Sequence, residues 1–119
     1  MLVDTKELMF FLGDLGTEIL PSLIDVFLVD TGENIKKISQ SLENGDYESL
    51  AREVHTLKGV GGTYGAVEMK EAAVNLDKRF KSKEALSSMR DDLLKLIDIM
   101  RATCSEMEKL KQERTSGNV

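Results

Sequence analysis

Ile19, Leu20, Leu23, Ile24, Phe27, Leu28, Ile35, Ile38 and Leu42 recur at three- and four-residue intervals. That spacing sets apolar side chains on one face of an α-helix, predicted here over about 18–42. The chain's only proline, Pro21, falls in the first turn of this helix, where a missing N–H is tolerated. Thr17 is the expected cap, and Gly32 weakens the middle, as where another helix comes close. A stripe this long must be buried against other helices.

The rest of the chain supplies those helices. Asp4 caps a short first helix, Glu7 completes a capping box, and Gly13 ends it. Leu8, Met9, Phe11 and Leu12 give this segment an apolar surface suited to a lid across the end of a bundle. Gly45 is a left-handed stop, and Asp46 caps a helix over about 47–63 that Gly65 ends. A fourth helix covers about 66–80, with Val67, Met69, Ala73, Leu76 and Phe80 mostly inward. Ser82 caps a fifth, which reaches about 111 along a seam of Leu86, Met89, Leu93, Leu96, Ile97, Met100 and Met107. Residues 112–119 form a polar tail expected to fray. The predicted fold is all-α: an antiparallel four-helix bundle with a short additional N-terminal helix. It is one domain over 1–119, with its core at about 15–111.

Composition narrows the function. The formal net charge of −5 argues against a nucleic-acid partner, which would need a basic stripe for the phosphates. Lys78, Arg79, Lys81 and Lys83 cluster at a helix C-terminus, where the helix dipole favours cations, and read as a solvated end. No signal peptide or membrane span is indicated, and a lone cysteine, Cys104, allows no internal disulfide. The expected location is the cytoplasm. Cys104 reads as a buried structural thiol and the methionines as core filler. One histidine and one cysteine so far apart give no metal-ligand cluster.

The chemistry is concentrated over residues 55–65. His55 is the only histidine, and Gly59, Gly61, Gly62 and Gly65 follow it closely. Each glycine inside a helix costs about 1 kcal/mol relative to alanine, so helix stability does not explain them. On a wheel of about 100° per residue, Leu50, Val54, Leu57 and Gly61 share one narrow stripe. His55 lies roughly 130° from its middle. Ala51, Gly59 and Gly62 are around the histidine and Lys58 is at the edge. Ala51 and Gly59, one turn away on either side, are too small to cover the ring. A lone histidine on a helix is usually an ordinary surface residue. Small neighbours, a lysine three residues on and glycines without a structural reason together point to a nucleophile left bare for another molecule. Neutral imidazole is nucleophilic and well populated near neutral pH. Lys58 can partly offset the charge of a bound phosphoryl group.

His55, Thr56, Leu57, Lys58 and Gly59, with Gly65 ten residues after the histidine, resemble the signature of histidine-containing phosphotransfer (HPt) domains. The order and lengths of the helices fit as well, from about residue 15 to 111. The resemblance implies a phosphoacceptor at His55, modified on Nε2. The sequence itself does not decide between the two ring nitrogens. It implies a free-standing, monomeric relay between the receiver domain of a hybrid histidine kinase and that of a response regulator. No Walker-type or kinase-type phosphate loop is present, so the chain is not expected to take phosphate from ATP. It binds no cofactor itself, and Mg²⁺ is expected in the partner receiver, whose aspartate pocket supplies the catalytic groups. Val60, Gly61, Gly62 and Thr63 stand where small or polar residues such as Ser, Ala and Asn are common in the family, and two glycines there should loosen the helix end. Two other readings are a helical adaptor that occupies a receiver without carrying phosphate, and the HPt fragment of a larger chemotaxis-type kinase. The intact His55 and Lys58 weigh against the first. The starting methionine and polar tail weigh against the second.

Overall fold

The computed structural model describes residues 1–116, apart from the side chains of Leu15, Thr17 and 114–116. It contains α1 (Thr5–Leu12), a 3-10 turn (Gly13–Leu15), α2 (Gly16–Asn44), α3 (Tyr47–Thr63), α4 (Val67–Lys81) and α5 (Leu86–Ser116). The fold is all-α, as predicted. In the bundle α3 packs on α2 and α4, and α5 packs on α2 and α4. That leaves α3 and α5 diagonally opposed.

Local chemistry explains most of the helix ends. Asp4 accepts from the N–H groups of Lys6 at 3.0 Å and Glu7 at 3.2 Å. The other half of the expected capping box does not form, because the Asp4 N–H donates to the Gly65 carbonyl at 2.7 Å. Gly13 ends α1 at φ +68°, and Gly45 stops α2 at φ +65°. Asp46 accepts from the Ser49 N–H at 3.2 Å to open α3. The last turn of α3 is closed by the Ala66 N–H, which reaches back to the Gly61 carbonyl at 2.9 Å.

Other expectations are corrected. The 3-10 turn feeds directly into α2, which therefore starts at Gly16. Pro21 is its sixth residue, beyond the free first turn, and one i→i−4 bond is missing there. The cap expected from Thr17 falls on a side chain outside the described set. A Cβ on Gly32 would meet nothing within 4 Å, so no helix approaches at that point. Ser82 closes α4 instead of capping α5, its N–H bonding the Lys78 carbonyl at 3.0 Å. The turn beyond it runs through Lys83 at φ +58° and is tied from outside. Tyr47 donates its hydroxyl to the Glu84 carbonyl at 2.8 Å, and Arg79 pairs with Glu84 and Asp92, each at 2.6 Å. Residues 112–116 continue α5 instead of fraying, and 117–119 lie outside the described residues.

Leu20, Ile24, Phe27, Ile38, Leu50, Val54, Leu57, Leu76, Leu93 and Leu96 form the buried centre, with Met69, Met89, Met100 and Met107 filling between them. Each fully buried side chain of this size stabilises the fold by about 1.5–3 kcal/mol. Cys104 is half-buried, less than expected; burial first, and then the Glu108 carboxylate, push its thiol up. Leu8 anchors α1, while Phe10 and Phe11 stay exposed.

Gly61 was expected to lack a structural reason, and it has one. A Cβ there would lie 2.9 Å from the Cβ of Lys70 and 3.0 Å from its Cα and backbone nitrogen. The glycine lets α4 come close to α3. Gly59 has open space around it. We predict that Gly61→Ala destabilises the protein by about 1–3 kcal/mol through overpacking. Gly59→Ala should be neutral or stabilise by up to about 1 kcal/mol. Urea unfolding of both variants checks this; equal effects would contradict the close approach.

Candidate functional site

The wheel position of His55 leaves its side chain 62% exposed on the face of α3 away from the buried Val54 and Leu57. Across the α3–α4 contact stands Asp77, whose side chain is only 6% exposed. It falls on the inward stripe of α4, between the buried Ala73 and Phe80 and beside Leu76. A carboxylate there has to be paired. His55 Nδ1 lies 3.1 Å from Asp77 Oδ1. Lys58 Nζ donates to Oδ2 at 2.7 Å, and Lys81 Nζ lies 2.9 Å from the same oxygen.

These contacts fix the protonation pattern. Burial alone would raise the Asp77 carboxyl. Hydrogen bonds from Lys58, Lys81 and His55 outweigh it and hold the group well below the usual carboxylate range. An ionised carboxylate only accepts, so the bond to His55 requires the proton on Nδ1. In the neutral ring Nε2 then keeps its lone pair, and it has no partner among the described residues.

The other predicted residues fall around this centre in different ways. Lys58 is one turn from His55, yet its charge is engaged by Asp77 and not by the ring. Ala51 lines a shallow hollow beside His55, together with Arg52, Phe80 and Lys81. Gly59 is bare, and a Cβ on Gly62 would touch only the end of the Lys70 side chain, at 3.9–4.0 Å. Gly65 lies outside the site. It holds φ +66° in the α3–α4 turn, where a Cβ would stand 2.6 Å from the Asp4 carbonyl oxygen. Asp77 and Lys81 are the residues that the sequence reading missed. The signal for Asp77 was present, a charged residue four after Ala73 and three before Phe80 on an otherwise apolar stripe. Lys81, read as part of a solvated helix end, is drawn to that carboxylate.

The site is a single exposed imidazole, oriented by a buried carboxylate, on a four-helix bundle. The Hpt domain family model matches residues 22–113, and the chain belongs to that family. The fold also matches the crystal structure of the HPT domain from the Hpt sensor hybrid histidine kinase from Shewanella. The TM-score is 0.83 at 14% identity, over 93% of this chain and 94% of that one. No curated protein matches the sequence. Hpt domains are histidine phosphotransfer modules that act with receiver domains and are not kinases. Among the described residues no helix is long and apolar enough to cross a membrane, and no three His, Cys, Asp or Glu side chains converge to hold a metal.

The lowered carboxyl sets a pH dependence. As pH falls, the unfolded chain takes up this proton before the folded one does. The contribution of Asp77 to stability is therefore complete above about pH 5 and shrinks below it, until the folded carboxyl is protonated too. We expect Asp77→Asn to cost about 2 kcal/mol at pH 7 and progressively less in acid. Urea titrations of both proteins from pH 7 to pH 3 check this, and a gap that stays constant across the range would contradict it.

Proposed function

We propose that His55 accepts a phosphoryl group on Nε2 from the aspartyl phosphate of a receiver domain and passes it to the aspartate of another. The donor is read as the receiver of a hybrid histidine kinase and the acceptor as that of a response regulator. The observation that supports this best is the His55–Asp77 bond, which commits Nδ1 and leaves Nε2 as the nucleophilic nitrogen.

In the forward step the Nε2 lone pair attacks phosphorus. A new N–P bond forms, the P–O bond to the donor aspartate breaks, and that carboxylate leaves with the electron pair. No proton has to depart. With Nδ1 still protonated the ring becomes cationic, and Asp77 faces that charge at hydrogen-bond distance. The return step reverses these changes onto a second carboxylate, restoring the neutral ring. Lys58 and Lys81, held on Asp77 at the Nδ1 side of the ring, keep that carboxylate ionised as the counter-charge to the cationic ring. A divalent ion such as Mg²⁺ belongs to the partner's pocket in this reading.

The test is to incubate the chain with a receiver domain phosphorylated by acetyl phosphate and to look for acid-labile, base-stable phosphate. His55→Gln is expected to abolish labelling while changing stability by no more than about 1 kcal/mol. Labelling that survives in His55→Gln would end this reading. Asp77→Asn should label at least about tenfold more slowly, a barrier increase of about 1.4 kcal/mol, because the cationic ring loses its counter-charge. Gly59→Leu, with open space around it, should melt no lower than wild type and bind the receiver more weakly. Full affinity in that variant would remove the bare strip beside His55 from the docking face.

A further inference from the structure

Phe10 is 90% exposed, more than any other large apolar side chain among the described residues. A single exposed aromatic residue is unremarkable in itself, but this one has a particular setting. Phe10 lines a hollow with Lys6, Glu7, Gly62 and Lys70. Gly62 continues the bare strip of His55 and Gly59, so the hollow lies at the far end of that strip.

The backbone that carries Phe10 is anchored. The start of α1 is tied to the α3–α4 turn by the Asp4 N–H bond to the Gly65 carbonyl at 2.7 Å, and Leu8 is buried below it. Gly65 permits this contact, since any Cβ there would collide with the Asp4 carbonyl oxygen. The turn that ends the helix of His55 therefore also sets where α1, which carries Phe10, lies.

We propose that Phe10 is the anchor of a second contact for the receiver domain that meets His55, with Lys6 and Lys70 at its edge. This rests on the reading of His55 given above. Gly62 is seven residues from His55, about 10 Å along the helix axis. Even a transient interface of about 600 Å² per partner covers a disc of roughly 14 Å radius. A receiver centred on His55 reaches this hollow in consequence. Two ammonium groups face one carboxylate there, on a chain of net charge −5. The receiver surface that fits is an apolar pocket with an acidic edge, and an exposed aromatic ring is the type of side chain that carries binding energy in such a seat.

The experiment uses the full chain and a receiver domain that labels wild-type His55. Phe10→Ala is expected to raise the Kd for the unphosphorylated receiver at least tenfold. It should slow transfer at limiting receiver and leave the rate at saturation unchanged, since Phe10 does not touch the ring. Phe10→Trp should retain affinity. Leu94→Ala is the control; Leu94 is 44% exposed on α5, diagonally across the bundle from α3, and its loss should change nothing. Lys70→Ala, which keeps the Cβ that packs on Gly61, should slow association and flatten its salt dependence. Wild-type affinity in Phe10→Ala, an equal loss in Leu94→Ala, or a Phe10-dependent self-association in sedimentation with no change in receiver binding would each overturn the proposal. If His55 is never labelled in a folded wild-type chain, it is the reading of His55 that fails. Labelling with unchanged Phe10→Ala kinetics and affinity defeats only the docking proposal.

Discussion

The close approach of α3 and α4 governs the rest of the structure. Aspartate is short, and it spans two helices only where their backbones lie near each other. Gly61 brings this about by admitting the Lys70 backbone to within 3.0 Å of where a Cβ would stand. Six residues back along α3 and seven on along α4, the same antiparallel register sets His55 opposite Asp77. A glycine that looks expendable in a helix therefore determines whether a carboxylate reaches the imidazole. The cost in helix propensity, about 1 kcal/mol, is small beside that of an unpaired carboxylate on a side chain only 6% exposed.

Asp77 carries out two tasks that pull against each other. It needs positive partners to remain ionised in a nearly buried position, and it must keep one oxygen for the ring. The division is spatial: both lysines sit on Oδ2 and the histidine on Oδ1. Lys58 comes from α3 and Lys81 from α4, so the carboxylate also fastens the two helices that form the site. The lysines reach the site through Asp77 and not by spacing from the histidine alone, and there they keep the carboxylate beside the ring ionised.

How much could be read beforehand follows from how local each cause is. The bounds of α3 were legible because Asp46 and Gly65 act on the backbone beside them. The outward placement of His55 was legible from its angle to Leu50, Val54 and Leu57. The α4–α5 turn was not, since Tyr47 and Arg79 hold it from other parts of the fold, and Ser82 resembled a cap only in isolation. Asp77 was half legible: its register betrays burial, but its partners depend on which helix lies opposite. The glycines divide in the same way. Gly65 announces itself through the turn, whereas Gly61 and Gly59 differ only in what α4 brings near them.

Gly65 shows how one backbone position serves two surfaces. Its left-handed conformation ends α3, and the absence of a side chain lets the Asp4 carbonyl come in where a Cβ would stand 2.6 Å away. The first condition concerns the helix that bears His55, and the second concerns the helix that lies across its end. Asparagine could meet the first, since it tolerates left-handed backbone. It could not meet the second without displacing α1. The requirement for glycine at this point therefore comes from packing as much as from φ, and it couples the placement of α1 to the helix that presents His55.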